Sequence, residues 1–236
     1  MQVIKKTFLL ILIFIFIIPQ YKCFSLTEEA RTEKIVYLTF DDGPSEIITR
    51  EILDILKEYN VNATFFLIGK MIKGQEQDLR RMVDEGHSLG LHTYSHERNK
   101  IYRSNQSFID EMILTQQIIY EVTGFKTNIL RFPFGSNNGS YKLSASMVNN
   151  LHNSELKIYD WNVDSTDGLN PKIEPSMIAK RAQSIKNPAV ILLHCGAVNK
   201  NTVKALPSII EYYKKNDYKF KVITSETPEV YRIRRK

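Results

Sequence analysis

Residues 35–44 read IVYLTFDDGP, an apolar run that ends in two aspartates, a glycine and a proline. Its apolar residues predict a buried strand, and Gly43 and Pro44 predict the point at which that strand stops. Two adjacent carboxylates, Asp41 and Asp42, therefore come at the carboxyl end of the strand. Because successive strand residues point to opposite sides of a sheet, the two need not share one environment, and one could be a metal ligand and the other a base. A solvated Asp-Asp-Gly turn fits these residues equally well when they are taken alone.

The first 25 residues differ in character from the rest of the chain. Lys5 and Lys6 precede an apolar run of about a dozen residues, which is shorter than the roughly 20 that a membrane span needs. This order predicts a signal peptide or an N-terminal membrane anchor over 1–25, followed by a linker over 26–33 and one folded domain over 34–233. We therefore expect a secreted protein, or one on the outer face of the cell membrane or in the cell wall.

The composition is that of a globular protein. The 236 residues are 43% hydrophobic and 25% charged, which is enough chain for one large core. The formal net charge is +6, and leaving out 1–25 removes three lysines and no acid, so that +3 remains. This balance suits an anionic cell-wall surface and is no evidence for nucleic acid as a partner. Cys195 is then the only cysteine, so no internal disulfide is expected.

Strands and helices alternate after residue 33. Most of the predicted strands are strongly apolar, which indicates an α/β fold with a mainly parallel sheet covered on both faces. Periodicity leaves open whether this sheet closes into a barrel. Ser107–Asp110 has the pattern of a capping box, which would begin a long helix that ends at Gly124. The strands are predicted over 34–40, 63–68, 88–91, 129–130, 156–161, 189–193 and 220–224, and the helices over 48–59, 75–85, 107–124, 142–152, 176–185 and 203–214.

Polar or ionisable residues follow five of these apolar runs. In α/β folds the carboxyl ends of parallel strands are where active sites are built, so these residues are expected to meet at one edge of the sheet. Any one of them alone has an ordinary structural explanation, but their coincidence would be improbable for polar residues placed at random. They are Asp41 and Asp42, His92, Arg131, Asp164 and Asp167, and His194.

His92 and His96 have the spacing i and i+4, which would put both imidazoles on one face of a helical turn. With a carboxylate from Asp41 or Asp42 they would form a ligand set that leaves positions open, as in a catalytic rather than a structural zinc site. Thr93 would either orient this loop through a hydrogen bond or simply fit the turn. A bound divalent ion lowers the pKa of its water from about 15.7 towards about 7, which makes a nucleophile available at neutral pH.

The other charged residues can be given tasks around such a metal. The aspartate that does not bind it would act as the base, and His194 could protonate a leaving amine. Arg131 could orient the base, or it could form an ordinary ion pair that stabilises the edge. Asp167 could orient His194 in the same way.

Taken together, these residues resemble a known family, the polysaccharide deacetylases of carbohydrate esterase family 4, which share the NodB homology domain. Five family motifs find a counterpart in order, over about residues 34–225. The first two are highly specific in their order and spacing, and the last is weak by itself. The motifs are Thr39–Pro44, His92–His96, Arg131–Gly135, Asp164–Gly168 and Leu192–His194.

The resemblance implies a distorted (β/α)7–8 barrel that removes N-acetyl groups from amino sugars, and it assigns roles to ten residues. One divalent metal, zinc by default with cobalt, nickel or manganese as replacements, would be held by Asp42, His92 and His96. The implied catalytic residues are Asp41 as base, Arg131 holding that base, His194 as general acid and Asp167 tuning it. The implied substrate contacts are Phe134, whose backbone N–H would steady the oxyanion, Pro133, and Leu192 beside the acetyl group.

Two positions depart from the family pattern. Gly168 stands where the family usually has tryptophan, so an apolar wall beside His194 is missing or comes from elsewhere. Phe132 replaces a usual proline, which is a milder change. Neither departure removes a reacting group, so we expect them to affect the rate and the shape of the pocket rather than the class of reaction.

The leading hypothesis is a metal-dependent hydrolase that removes N-acetyl groups from N-acetylglucosamine residues of peptidoglycan. The same chemistry on chitin oligomers, an exopolysaccharide or muramic acid residues is the alternative, although the muramic acid branch often lacks the second aspartate that Asp42 supplies here. A non-catalytic wall-binding module would be favoured by loss of Asp41 or His194, and both are present. A non-haem iron oxygenase also uses two histidines and a carboxylate, but it leaves Arg131 and Asp167 unexplained. The expected partner is a glycan polymer bound by a monomer, with membrane contact only through the N-terminal segment.

Overall fold

The stretch that contains Asp41 and Asp42 forms the central strand of the sheet. In the computed structural model, which describes residues 33–233, this strand is β1 (Lys34–Gly43), and it pairs in parallel with a strand on each side. The other strands are β2 (Thr64–Leu67), β3 (Ser88–Leu91), β4 (Ile129–Leu130), β5 (Lys157–Ile158), β6 (Val163–Asp164), β7 (Ala189–His194) and β8 (Tyr218–Phe220).

Every named strand pair is parallel, in the spatial order β5-β4-β3-β2-β1-β7-β6, while β8 pairs with the first residues of β1. The parallel sheet predicted from the apolar runs is therefore confirmed. Among the described residues the pairing does not continue from β5 to β6, so the barrel is incompletely closed. This agrees with the distorted barrel that the resemblance implies.

Helices cover the outside of the sheet and connect all successive strands except β5 and β6, which a short non-helical segment joins. They are α1 (Glu46–Glu58), α2 (Glu76–Asp84), α3 (Arg98–Ile101), α4 (Asn105–Thr123), α5 (Ala145–Asn153), α6 (Pro175–Ala182) and α7 (Lys200–Lys215), with a 3-10 turn at Gly69–Met71. None of the helices within residues 33–233 is long and apolar enough to cross a membrane. The predicted signal peptide or anchor over 1–25 and nearly all of the predicted linker lie outside the described residues, and both stay predictions.

The sheet is buried on both faces, as expected for parallel strands covered by helices. Alternate residues of β1 divide between two cores, because side chains alternate along a strand. Val36, Leu38 and Phe40 pack with the helices in the large core, which takes the apolar face of α1. Tyr37 belongs to a smaller cluster with Phe66, Ile129, Tyr159, Val190 and Ile223.

Several predicted boundaries are wrong, and local hydrogen bonds give the reasons. α4 begins at Asn105, because the Ser104 hydroxyl, not a capping box at Ser107, accepts from the Ser107 amide at 3.0 Å. α5 begins at Ala145 instead of residue 142, because Lys142 forms a β-bridge with Asn137 and the Ser144 hydroxyl caps the helix by accepting from the Met147 amide at 3.2 Å.

Other boundaries are shifted by tertiary pairing. The strand predicted over 156–161 is only β5, and a separate short strand, β6, follows it. The last strand lies at Tyr218–Phe220, earlier than predicted, because these residues pair with Lys34–Val36. α6 ends at Ala182, three residues before the predicted end.

Candidate active site

The five groups of polar residues predicted to meet do follow the carboxyl ends of neighbouring strands. Asp41 and Asp42 belong to the end of β1, His92 follows β3, and Arg131 follows β4. Asp164 ends β6, Asp167 follows it three residues later, and His194 ends β7. Because these strands are parallel, their carboxyl ends lie at the same edge of the sheet. The prediction that one edge collects these groups is confirmed.

A β-bulge in β1 lets both adjacent aspartates face one centre. Asp41 pairs with Phe66 of β2 and Gly43 with the next residue, so Asp42 is the extra residue, with φ of 70°. The nearer oxygens of Asp41 and Asp42 lie 3.8 Å and 3.5 Å from Nε2 of His92. Their environments nevertheless differ, since Asp41 is buried and Asp42 is partly exposed.

The loop that carries the two histidines is not helical. Thr93 and His96 both have positive φ, of 65° and 57°, so the predicted helical turn is wrong and a tight irregular turn brings the imidazoles together. The Thr93 hydroxyl accepts from the His96 amide at 3.0 Å, which confirms that Thr93 orients this loop. The Ser95 amide and hydroxyl both donate to the carboxylate of Glu111 on α4, at 2.9 Å and 2.7 Å.

Asp42, His92 and His96 fit a divalent cation. One ligand atom from each lies within 4.8 Å of the others, and Asp42 Oδ1 is 3.3 Å from His96 Nε2. This buried carboxylate oxygen accepts no hydrogen bond from the described residues, which is the state expected of a ligand atom. Nδ1 of His92 lies 2.9 Å from the Arg131 carbonyl oxygen, so that Nε2 is left to face the centre.

The protonation of these residues also suits metal binding. Burial opposes the charge on Asp42, but the imidazoles of His92, His194 and His96 around it outweigh burial and hold the pKa of Asp42 below its ordinary value. Burial lowers the pKa of His96 to about 4, so this imidazole is neutral near pH 7. An ionised carboxylate and a neutral imidazole are the forms that coordinate metal ions.

Arg131 is completely buried and holds Asp41. Its Nη1 donates to Asp41 Oδ1 at 2.9 Å and to the Thr39 hydroxyl at 2.6 Å. Nε and Nη2 donate to the carbonyl oxygens of Tyr159 and Asp160, at 2.8 Å and 3.1 Å. Arg131 therefore occupies one oxygen of Asp41 and leaves Oδ2 free to act as a base, while it also stabilises the edge. Both functions that the sequence left open are compatible with this geometry.

The buried Asp167 and the partly exposed His194 form a second pair. Nδ1 of His194 donates to Asp167 Oδ1 at 2.7 Å, and the His194 amide and the Thr202 hydroxyl donate to Oδ2. Burial favours the neutral form of His194, but the hydrogen bond and charge of Asp167 outweigh burial and raise the pKa of His194 to about 9. His194 thus carries a proton near neutral pH, and its Nε2 is not used by Asp167.

Gly168 lies against the imidazole of His194. A Cβ atom built on Gly168 would come within 2.3 Å, 2.5 Å and 2.8 Å of Cε1, Nε2 and Nδ1 of that ring. The imidazole of His194 therefore fills the space next to residue 168. Residue 168 therefore contributes no side-chain wall beside His194, and the imidazole packs directly on the glycine backbone.

The three predicted substrate contacts have different surroundings. Phe134 is 43% exposed, and its ring lies 4.9 Å from the ring of His96. Its amide donates to no acceptor in the described part of the chain, so the N–H is available to an oxyanion. Pro133 is buried, and its carbonyl oxygen accepts from the Tyr102 hydroxyl. Leu192 is buried in β7 opposite Thr39. Their contacts with substrate stay predictions.

Sequence reasoning missed four supporting residues: Thr39, Glu111, Asp160 and Thr202. The role of Thr39 could have been predicted from the sequence, because it precedes Asp41 by two positions and so lies on the same face of β1. The Asp160 carboxylate accepts from the Ser136 amide and fixes the turn after Phe134. Glu111 and Thr202 are far in sequence from the groups they bind, and no local pattern marks them.

Comparison with known proteins gives consistent results. The family model described as polysaccharide deacetylase matches residues 28–150. A peptidoglycan-N-acetylglucosamine deacetylase of Bacillus cereus is 33% identical over 203 residues, which are 84% of this chain and 72% of that protein.

Two crystal structures resemble this one closely. The catalytic domain of a peptidoglycan N-acetylglucosamine deacetylase from Eubacterium rectale has a TM-score of 0.77 and 35% identity, covering 87% of this chain and 96% of that one. A polysaccharide deacetylase from Bacillus cereus has a TM-score of 0.76 and 33% identity, covering 83% and 95%. The fold and the resemblance inferred from the five motifs are confirmed.

Proposed function

Since the chain belongs to the polysaccharide deacetylase family, we propose that it removes N-acetyl groups from N-acetylglucosamine residues of peptidoglycan with the help of one divalent metal ion. The observation that carries the proposal is the meeting of a metal-ligand set, a buried base and a protonated imidazole at one edge of the sheet. The names of the similar proteins support peptidoglycan as the substrate.

Asp42, His92 and His96 would hold the metal. A bound cation of this kind polarises a carbonyl group and acidifies water. Zinc is the ion we expect, because two imidazoles and one carboxylate are a common zinc ligand set, and cobalt, nickel or manganese would be replacements.

The chain's own residues would move the protons. Asp41 Oδ2 takes a proton from the attacking water, while Arg131 holds Oδ1 and keeps the carboxylate in place. His194 Nε2 donates its proton to the amide nitrogen as the bond between carbon and nitrogen breaks. The products are acetate and a free amino sugar. The Phe134 amide would donate to the oxygen on which negative charge develops.

Acetate release from purified peptidoglycan, with and without a chelator, tests this proposal. We expect the chelator to abolish release and one added divalent ion to restore it. Asp41→Asn should lower kcat by about 10²–10⁴-fold with metal content unchanged. Asp42→Asn should instead lower metal content first. An Asp41→Asn protein with wild-type turnover would contradict the mechanism.

Mass spectrometry of the released glycan identifies the substrate. We expect the loss of acetyl groups on N-acetylglucosamine residues. Acetyl loss confined to muramic acid residues, or activity on chitin oligomers alone, would assign a different glycan to the same catalytic residues.

We also propose that the protein works outside the cytoplasmic membrane, because peptidoglycan lies there and the order of residues in 1–25 suits export. Immunodetection in the medium, wall and membrane fractions would test this location. Recovery of the protein only from the cytoplasm would contradict it.

A further inference from the structure

A cavity of about 640 Å³ lies between the first turns of α1 and α7, beside the active site but outside it. Ile48, Met71 and Val203 are among the residues that line it, so part of its surface is apolar. Ile47, at its edge, is 66% exposed. The cavity contains none of the proposed catalytic or metal-binding residues, and the proposed reaction gives it no task.

One polar side chain in the lining of this cavity has an oxygen without a hydrogen-bond donor among the described residues. Gln75 lines the cavity and is 8% exposed. Its Nε2 donates to the carbonyl oxygens of Met71 and Pro44, at 2.9 Å and 3.3 Å, which fixes the orientation of the amide. Its Oε1 has no hydrogen-bond partner among the described residues. A buried acceptor left unpaired is uncommon in native proteins, and a ligand N–H or O–H would satisfy it.

The first turn of α1 supplies donors at the same cavity. No side chain caps this helix, because the Ser45 hydroxyl donates to the Cys195 carbonyl oxygen instead. The amides of Glu46, Ile47 and Ile48 donate to no acceptor within residues 33–233. A ligand that carries both N–H and C=O groups, as a peptide backbone does, would therefore find partners of both kinds.

The charged residues of the lining have both signs. Glu46 and Glu51 come from α1, and Lys200 and Lys204 come from α7. A strongly anionic polymer would be repelled by the two carboxylates, and a strongly cationic one by the two amines. The combination suits a ligand with carboxylate and amine groups on one short chain.

The cavity is within reach of a sugar at the active site. Ser45 and Ala197 line it, and they follow Asp42 and His194 by three residues each. Three residues span at most about 11 Å. A Cβ atom built on Gly196, next to Ala197, would lie 3.6 Å from the Cβ atom of Asp42.

We propose that this cavity binds the short peptide that peptidoglycan carries on the sugar next to the deacetylated one, an inference that rests on the proposed function. Such a peptide has methyl groups for the apolar lining, N–H groups for Gln75 Oε1, and carboxylate and amine groups for the charged rim. Chitin and other plain glycans have no part that matches these features.

The test compares two substrates prepared from the same wall. One is glycan strands with their peptides intact, and the other is the same strands after an amidase has removed the peptides. We expect the wild-type protein to have a higher kcat/KM on the peptide-bearing strands. Ala197→Trp, which fills the cavity, and Lys200→Glu, which reverses one rim charge, should each lower the ratio of the two kcat/KM values by about five- to tenfold.

Lys126→Glu is the matched control. It makes the same change of charge on an exposed loop that leads into the opposite end of the sheet, so the ratio should not change. Equal kcat/KM values on both substrates, or a ratio that neither cavity variant lowers, would overturn the peptide site. Acetate release from the strands without peptides tests the proposed function separately, because that reaction requires the catalytic residues and not the cavity. Acetate release from neither substrate would overturn that function, and the inference with it.

Discussion

At the scale of single residues, Asp41 and Asp42 show how neighbours in sequence acquire different chemistry. Asp41 lies on the inner face of β1, where Arg131 binds one of its oxygens. Asp42 is the extra residue of a bulge, and its Oδ1 faces His92 and His96 instead of a hydrogen-bond donor. One backbone irregularity therefore gives the proposed base and the proposed metal ligand different surroundings without any change of residue type.

Gly168→Ala should lower kcat by about 10- to 100-fold, since a displacement of reacting groups by 1 Å can cost this much. The new methyl group would overlap the imidazole and push His194 away from its position. Gly139→Ala is the control, because a Cβ atom there would meet nothing within 4 Å. Metal content should be unchanged in both proteins. Wild-type turnover of Gly168→Ala would show that the imidazole can move without cost.

Asp167→Asn should shift the alkaline limb of the pH profile of kcat/KM to lower pH. In the wild type Asp167 raises the pKa of His194 to about 9, so the acid is active below that pH and is lost as the pH rises through it. A bound cation would shift this alkaline limb to somewhat lower pH, because its positive charge disfavours the protonated imidazole. Removing the carboxylate charge lets the pKa fall towards the ordinary value of about 6.5. The exposed Asp164, replaced in the same way, should leave the limb in place, and an unshifted limb in Asp167→Asn would exclude this role.

At the scale of elements, strand register and helix anchoring position the reacting groups. Asp41 of β1 is directly paired with His194 of β7, so the proposed base and the proposed acid come from neighbouring strands in one register. The histidine loop is held differently, because Glu111 of α4 receives the Ser95 amide and hydroxyl. The positions of the proposed metal ligands His92 and His96 therefore depend on the packing of α4, which contributes no proposed ligand itself.

Glu111→Ala should weaken metal affinity by about 10- to 100-fold, which is the usual cost of losing a group that orients ligands. The loop that carries His92 and His96 would lose its anchor on α4. Calorimetric titration of the metal-free protein with zinc would measure the change. Glu121→Ala, an exposed site on the same helix, should bind zinc like the wild type. Equal affinities of the two variants would show that the loop keeps its conformation alone.

At the scale of the whole molecule, Arg131 links the open barrel across its interior. It is the largest of the fully buried side chains, and it binds groups from β1 and from the segment after β5. Its guanidinium also stacks on Phe66 of β2, 4.3 Å from the ring centre. A residue expected to serve catalysis thus also replaces some of the strand pairing that the incomplete barrel lacks.

Arg131→Met should lower the free energy of unfolding by about 3–5 kcal/mol, because it leaves the buried Asp41 carboxylate without its counter-charge. Denaturant titration followed by circular dichroism would measure the loss. Arg103→Met, at an exposed position, should be indistinguishable from the wild type. A similarly small effect of Arg131→Met would mean that Arg131 serves the reaction and not the fold.

The parallel sheet, the edge at which the candidate site lies and the family could all be predicted from the amino-acid sequence. An apolar run predicts a buried strand from local sequence alone, and the carboxyl ends of parallel strands lie at the same edge of a sheet. Asp41, His92 and His194 could therefore be placed at that edge from local patterns. The assignment of Asp41 and Asp42 to separate tasks needed the resemblance, since alternation along a strand does not say which one faces a metal.

The geometry within the candidate site could not be predicted from the sequence, because it depends on contacts made in the folded chain. The bulge at Asp42 and the positive φ values at Thr93 and His96 arise where the chain must satisfy contacts with other strands, and periodicity carries no trace of them. The same is true of Thr202 binding Asp167, of the His194 ring on Gly168, and of the unpaired oxygen of Gln75. These contacts join residues that are distant in sequence, or depend on the packing around them, and packing is settled only when the whole chain is folded.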